Sequence, residues 1–158
     1  LEFRRVLFRS EVRLKMIDTG VAEMKAGHVF FHTGSPHLVV PVGSLESYPV
    51  FETGRYYQPN PDFGGAGCNI NFIEPLDGDI AVRTYERGVE DETLSCGTGV
   101  TASALFAHHQ GWKEAGPVRV VTPGGELVVH FEAMENGYQN IWLEGPATHV
   151  FDGLVHLP

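Results

Sequence analysis

The sequence has little cysteine, little basic charge and no long apolar run. Only Cys68 and Cys96 occur among its 158 residues, and two thiols do not make the disulfide framework of a small secreted domain. No apolar run approaches the roughly 18 residues that span a membrane. Residues 1–10 lack the apolar stretch and cleavage site of a secretory signal. These absences predict a reduced, cytoplasmic protein outside the membrane.

Acidic residues outnumber basic ones, 20 against 11, which gives a formal net charge of −9. Surfaces that bind nucleic acid usually carry the opposite sign, so we expect no nucleic-acid partner and no anionic membrane. Hydrophobic residues make up 42% of the chain, enough for a core. The length predicts one domain, with at most an appendage.

Most of the chain consists of short strand-like segments separated by turn signals, and residues 12–17 alternate apolar and polar residues, which is typical of a half-buried strand. We predict strands at residues 12–17, 28–32, 38–42, 69–76, 80–86, 118–122, 126–133, 140–144 and 148–151. Residues 33–37 are predicted as a turn and 87–92 as a charged loop, whereas 48–58 could form a short helix. One helix is predicted at 100–110, buried because apolar residues lie on every side. The pattern favours an α+β domain with antiparallel or mixed strands around one central helix.

Cys96 stands directly before Gly97-Thr98-Gly99 and the predicted helix. A helix N-terminus presents unpaired N–H groups and about half a positive charge, so we expect it to stabilise a thiolate and lower the pKa of Cys96. The same N–H groups can bind a carboxylate, and the glycines would let a ligand approach the backbone. The alternative is a buried core thiol, since free cysteine is among the most buried residues.

Other residues near this segment could carry chemistry. Glu86 could relay protons and Arg87 could bind a carboxylate, although the two could equally form a surface ion pair. His37 could shuttle protons or be a solvated loop residue, and Asn69 could bind a ligand or nearby backbone. The histidines have no tight ligand spacing, so we expect no metal. A Cys–His hydrolase nucleophile at Cys96 is a further alternative.

Residues 85–99, with the sequence YERGVEDETLSCGTG, resemble the C-terminal catalytic motif of diaminopimelate epimerases. Shorter similarities to the family lie at residues 33–37 (TGSPH), 69–72 (NINF), 122–127 (TPGGEL) and 143–147 (LEGPA). The resemblance covers residues 30–154, and Ser35 stands where the family commonly has asparagine.

The resemblance implies an isomerase that interconverts LL- and meso-diaminopimelate in lysine and peptidoglycan biosynthesis, without cofactor or metal. The family fold has two similar α+β halves, each with strands wrapped around a central helix. Two cysteines face each other across the cleft, one taking the Cα proton and the other delivering a proton to the opposite face. Diaminopimelate is the implied ligand, and a homodimer is an implied assembly.

The family assigns roles to matching positions of this sequence. Cys96 would be one of the two acid–base thiols, and Glu86 and His37 would tune proton transfer near the thiols. The implied substrate-binding residues are Asn69 and Arg87 at the distal amino-acid end, with Gly97 and Thr98 offering N–H groups to the reacting carboxylate.

The second catalytic cysteine of the family, in a Cys-Gly-Asn-Gly-like motif of its first half, has no counterpart here. Cys68 occupies a position that is usually Thr-like in the family. The chain starts at Leu1 rather than Met, which suggests a processed, partial or artificial chain. We interpret residues 1–10 as a non-native segment, 11–29 as a remnant of the preceding half or a linker, and 30–158 as the C-terminal epimerase domain. We therefore expect a missing N-terminal half as partner and no turnover by this chain alone.

Three alternatives remain at this point. The chain could belong to a proline racemase-like or other isomerase of the same fold. It could be a non-catalytic amino-acid-binding domain, whose binding survives Cys96→Ala. It could also be a purely structural domain that neither binds nor exchanges protons.

Overall fold

The structure is a computed structural model that describes residues 11–25, 27–63 and 67–154, and ten strands and two α-helices lie in these ranges. The strands are β1 (Glu11–Lys15), β2 (Glu23–Lys25), β3 (His28–His32), β4 (Pro36–Pro41), β5 (Asn69–Pro75), β6 (Ile80–Glu86), β7 (Asp91–Thr93), β8 (Val118–Thr122), β9 (Gly125–Met134) and β10 (Gly137–Pro146). The helices are α1 (Val50–Tyr57) and α2 (Gly97–His109), and a short 3₁₀ helix spans Pro61–Phe63. The segment 1–10, interpreted as non-native, lies outside the described residues.

The strands form one mixed sheet in the order β1-β10-β9-β8-β6-β5-β4-β3-β2, with β7 paired to β6. Most neighbours are antiparallel, but β4 runs parallel to β5 and β6 runs parallel to β8. Parallel neighbours need a long crossover connection, and these two crossovers contain α1 and α2. The predicted α+β class with mixed strands is confirmed, with two α-helices instead of one.

The two helices lie on opposite faces of the sheet, as β5 shows. Successive side chains of a strand point to opposite faces. Ile70 packs in a cluster with Val50 of α1, whereas Ile73 packs in a separate cluster with Leu105 of α2. Asn71, two residues before Ile73, therefore faces α2 from the middle of the sheet.

The helix α2 is buried along most of its length, as predicted. Residues 99–107 are all buried, and the helix contacts β3, β4, β5, β6, β8, β9 and β10. Two of its hydroxyls are satisfied within the helix, since Thr101 donates to the Gly97 carbonyl at 3.0 Å and Ser103 to the Gly99 carbonyl at 2.8 Å. Among the described residues, no helix is long and apolar enough to cross a membrane.

The sheet is curved enough to bring β3 and β10, which are distant in strand order, into contact. Phe31 of β3 and Tyr138 of β10 have ring centroids 6.1 Å apart. Thr19 connects the same two strands, because its N–H donates to the Tyr138 carbonyl at 2.9 Å and its hydroxyl donates to the His32 carbonyl at 2.5 Å. The linker between β1 and β2 therefore lies between the two ends of the sheet.

Most predicted strands agree with the structure, and 48–58 contains α1. The strand predicted at 148–151 is wrong, since the described chain has no regular structure there and Val150 and Phe151 are largely exposed. The prediction of a loop throughout 87–92 is also wrong, because Asp91–Thr93 pairs with β6. β1 and β2 belong to the same sheet as the rest, and the division at residue 30 stays a prediction.

Candidate active site

Cys96 occupies the N-cap of α2, so its predicted place at a helix N-terminus is confirmed. Its backbone is extended, with φ −120° and ψ 107°, and its carbonyl accepts the N–H of Val100 at 2.8 Å. Only 8% of the residue is exposed. The Cys96 Sγ lies 3.6 Å from the hydroxyl oxygen of Thr98. The thiol is thus held at the start of a helix but largely withdrawn from water.

The expectation of a lowered pKa at Cys96 is wrong on balance. Burial raises the pKa of the thiol, and the charge of Glu86 adds to the rise. The Thr98 hydroxyl and the backbone N–H of Gly99 lower the pKa, but by less than burial raises it. Burial dominates because the thiolate is the charged form and loses its hydration. Cys96 is therefore a protonated thiol at neutral pH in this chain.

His37 is not a solvated loop residue, because it lies in β4 with none of its surface exposed. Its Nε2 is 2.8 Å from Ser35 Oγ and 2.9 Å from Thr98 Oγ1, and these two hydroxyl oxygens are 3.0 Å apart. Burial lowers the pKa of His37 from 6.5 to about 3. A neutral imidazole is thus connected to the Cys96 thiol through Thr98.

The segment ahead of β4 is tied to the start of α2. The Thr33 hydroxyl donates to the Thr98 carbonyl at 2.8 Å, and Thr33 is almost fully buried. Gly34 has a φ of +111°, which a side chain would strain. Nothing in the sequence pattern indicates this role of Thr33, since it depends on a contact between residues 65 positions apart.

Asn69 and Arg87 lie together beside Ser35. The Asn69 amide nitrogen donates to the Pro36 carbonyl at 3.0 Å and to Ser35 Oγ at 3.3 Å, and its oxygen accepts the backbone N–H of Arg87 at 3.0 Å. The Arg87 guanidinium donates to the Gly67 carbonyl at 3.2 Å. Asn69 therefore fixes the backbone at Arg87, which brings a positive charge to this end of the site.

Glu86 is the last residue of β6 and faces the segment that leads to Cys96. Its carboxylate accepts the Thr93 hydroxyl at 2.7 Å. Because its charge raises the pKa of Cys96, the carboxylate lies within electrostatic reach of the thiol. The structure thus brings Glu86, His37 and Thr98 together around Cys96, with Asn69 and Arg87 adjoining.

Asn71 belongs to the same cluster and was not predicted. Its amide nitrogen lies 3.1 Å from His37 Nδ1 and donates to the Leu38 carbonyl at 3.1 Å, while its oxygen accepts the Thr84 hydroxyl at 3.0 Å. The signal for this residue was its spacing, because Asn71 stands two positions after Asn69 and shares its face of β5.

The two glycines of the Cys96 segment have different neighbours. A Cβ on Gly99 would lie 2.3 Å from Asn71 Oδ1, so Gly99 is needed for the approach of a side chain of this protein. A Cβ on Gly97 would meet only the end of the Leu143 side chain, at 3.0 Å. The expectation that both glycines admit a ligand is therefore wrong for Gly99, because the Asn71 side chain occupies the space beside it.

Cys68 lies away from this cluster. It is fully buried with Ile70 and Phe72 on the α1 face of the sheet. Burial raises the pKa of the Cys68 thiol to about 11. Within residues 11–25, 27–63 and 67–154, no three His, Cys, Asp or Glu side chains are grouped so as to hold a metal ion.

Two solved structures share this fold at low sequence identity. A probable proline racemase from Agrobacterium radiobacter K84, with bound carbonate, is 17% identical with a TM-score of 0.60, and the match covers 90% of this chain and 54% of that one. A hydroxyproline epimerase from Agrobacterium vitis, with bound trans-4-hydroxy-L-proline, is 18% identical with a TM-score of 0.56, over 87% and 50% of the two chains. The architecture is thus about half of the fold of these racemases and epimerases.

Sequence comparison is more specific. The family model "Diaminopimelate epimerase" matches residues 29–150. Relatives named diaminopimelate epimerase include one from Aquifex aeolicus, 43% identical over 79% of this chain and 44% of the relative, and one from Flavobacterium psychrophilum, 38% identical over 91% and 57%. The chain belongs to the diaminopimelate epimerase family. It spans about half the length of these relatives.

Proposed function

We propose that this chain is the C-terminal half of an enzyme that interconverts LL- and meso-diaminopimelate, with Cys96 as one of two acid–base thiols. The observation that carries the proposal is the Cys96 thiol at the N-terminus of α2, joined through Thr98 to the neutral imidazole of His37. Inversion at Cα needs an acid and a base on opposite faces of the substrate. The second thiol would come from the other half of the enzyme.

The helix start supplies the anion site of the proposed reaction. Proton removal at Cα places negative charge on the adjacent carboxylate, and backbone N–H groups at a helix N-terminus stabilise such charge. We assign this role to Gly97 and Thr98. Only protons move in this reaction, so the proposal includes neither a metal nor a cofactor.

The remaining residues are assigned from their positions around the thiol. Glu86 and His37 tune proton transfer at Cys96, the first as a charge and the second through the Thr98 hydroxyl. Asn69 and Arg87 bind the distal amino-acid end of the substrate, where the guanidinium suits a carboxylate. The fold proposed for this half is a set of strands wrapped around α2, with which seven strands are in contact.

The first test uses the chain alone and a fusion in which the first half of the Aquifex aeolicus relative precedes residue 11. With LL-diaminopimelate in D₂O, ¹H NMR reports loss of the Cα proton and formation of the meso isomer. The chain alone is expected to give no turnover. The fusion is expected to be active, because both thiols then face the substrate.

Matched cysteine variants separate the thiol from the fold. In the fusion, Cys96→Ala should lower turnover by about 10²-fold or more, the usual contribution of a positioned acid or base. Cys68→Ala should leave turnover near that of the parent, because Cys68 is buried on the other face of the sheet. Turnover by the chain alone would contradict its proposed inactivity. A folded fusion that is inactive, or one that keeps its activity after Cys96→Ala, would contradict the proposed reaction.

Two other functions make different predictions in the same assay. A proline racemase-like or other isomerase of the same fold, as the two fold neighbours are named, would turn over L-proline or trans-4-hydroxy-L-proline instead. A non-catalytic amino-acid-binding domain would bind diaminopimelate with and without Cys96→Ala and would exchange no Cα proton.

A further inference from the structure

Asn71 has a buried amide whose orientation is fixed by its partners. It is 0% exposed. The Leu38 carbonyl, 3.1 Å away, can only accept a hydrogen bond, so the atom facing it is the amide nitrogen. The amide oxygen then accepts the Thr84 hydroxyl at 3.0 Å. A rotated amide would place its oxygen against the Leu38 carbonyl and lose this hydrogen bond.

The fixed amide determines which nitrogen of His37 carries the proton. The Asn71 amide nitrogen also lies 3.1 Å from His37 Nδ1. An amide nitrogen has two hydrogens and no acceptor, so its second hydrogen points at Nδ1, which must be the bare nitrogen. The neutral imidazole therefore carries its hydrogen on Nε2, since the hydrogen bond that one ring nitrogen makes determines whether the other nitrogen is protonated.

The hydrogen on Nε2 gives the cluster a direction. It lies between Thr98 Oγ1 at 2.9 Å and Ser35 Oγ at 2.8 Å, so these hydroxyl oxygens act as its acceptors. When Thr98 accepts from His37, its own hydrogen is available to donate to Cys96 Sγ, 3.6 Å away. Each group then donates a hydrogen bond to the next, from Asn71 to His37, from His37 to Thr98 and from Thr98 to the sulfur.

We propose that Asn71 is a positioning residue that locks His37 in the neutral Nε2–H tautomer, so that the chain of hydrogen bonds ends on Cys96 as a donor. Its role in the reaction rests on the proposed function, but the tautomer does not. A hydrogen bond donated to the sulfur favours the thiolate during proton transfer and opposes the effect of burial. Burial lowers the pKa of His37 to about 3 and so keeps the imidazole neutral.

The proposal is tested on the chain itself by long-range ¹H–¹⁵N NMR of labelled histidines, which distinguishes protonated from bare ring nitrogens. His37→Gln identifies the His37 signals. The wild-type chain should show Nε2 protonated and Nδ1 bare from pH 5 to pH 8. Protonation at Nδ1 in the wild-type chain overturns the proposal without the need for any variant.

Two variants separate positioning from a merely structural role. Thr84→Val removes one hydrogen bond of Asn71 but leaves its amide donor in place, so the Nε2–H tautomer should persist. Asn71→Asp replaces the donor by an acceptor, so Nδ1 should become protonated. If Asn71→Asp leaves Nδ1 bare, or if Thr84→Val changes the tautomer, Asn71 does not set it.

The fusion protein described above extends the test to the reaction. There, Asn71→Ala should lower kcat by about tenfold or more while changing KM little, since it disturbs proton transfer and not substrate binding. An unchanged kcat in an active fusion would remove Asn71 from the mechanism. An inactive parent fusion with the predicted tautomer would instead contradict the proposed function and leave the tautomer assignment standing.

Discussion

Cys96 and His37 are both driven to their neutral forms by burial. For the thiol this raises the pKa, and for the imidazole it lowers the pKa to about 3, because in each case water stabilises the charged form better than the protein does. The site of this chain therefore holds a thiol and an uncharged imidazole at neutral pH. A thiol in its protonated form is suited to donate a proton.

The neutral state of His37 makes folding stability depend on pH. Because its folded pKa lies below its unfolded value of 6.5, His37 favours the folded state above pH 6.5, and this contribution is lost as pH falls towards 3. Between pH 8 and pH 5 the loss amounts to about 2 kcal/mol by linkage. Urea unfolding at the two pH values should show this extra loss in the wild-type chain and not in His37→Gln. Equal losses in both proteins would show that residue 37 does not titrate on unfolding.

The sequence predicted the types of residue in the site better than their environment. Cys96 was placed at a helix N-terminus because Gly-Thr-Gly and a helical pattern follow it. Its burial, and that of His37, depends on β4 and β5 packing over α2, which local sequence does not encode. Thr33 was missed for the same reason, whereas the spacing of Asn69 and Asn71 along one strand did contain the signal.

At the scale of elements, the start of α2 and the middle of β5 approach so closely that no side-chain atom fits between Gly99 and Asn71. A Cβ on Gly99 would enter the position of Asn71 Oδ1, which Thr84 holds in place. The contact between Gly99 and Asn71 thus couples the first turn of the helix to the central strand. This coupling positions Cys96 relative to the sheet.

Substitutions of the two glycines test this coupling. Gly99→Ala should lower the free energy of unfolding by about 2 kcal/mol, in the range typical of overpacking in a core. Gly97→Ala should change it by less than about 1 kcal/mol, because alanine favours the helix and only the flexible Leu143 side chain must move. Denaturant unfolding of both variants measures the difference. Equal effects would show that the contact with Asn71 is not tight.

The elements themselves were predictable where their apolar pattern was regular. β3 and β6 were predicted at their observed bounds, and α2 was recognised from its small apolar residues. β2 (Glu23–Lys25) has only three residues, too few to define a strand pattern, and it pairs with β3. Residues 148–151 contain β-branched and aromatic residues, which are typical of strands, but Val150 and Phe151 pair with no described strand and stay exposed.

At the scale of the whole molecule, Arg83 connects β6 to β7 and to the segment that leads to α1. From β6 it forms a two-pronged ion pair with Glu92 of β7, at 2.6 and 2.7 Å. The same guanidinium donates to the carbonyls of Leu45, Glu46 and Tyr48, in the segment that leads to α1. One side chain, 22% exposed, thus joins three parts of the fold.

Replacing Arg83 should therefore be costly. Arg83→Met should lower the free energy of unfolding by about 2 to 3 kcal/mol, since it leaves a partly buried carboxylate and several carbonyls without their charged partner. Arg119→Met is the matched control, because Arg119 pairs with Asp79 and Glu126 but its side chain is 52% exposed, against 22% for Arg83. Its loss should be below about 1 kcal/mol. Similar unfolding midpoints for the two variants would contradict this role of Arg83.

The linker that lies between the ends of the sheet has a consequence for self-association. Both outermost strands, β1 and β2, come from residues 11–25, and unpaired strand edges invite other chains to add strands. β1 and β2 are short and carry charged side chains, including Arg13, Lys15 and Lys25, which discourage such pairing. β1 pairs with residues 142–146 of β10 and β2 pairs with β3, so within the described residues one charged stretch forms both edges of the sheet and protects them against aggregation.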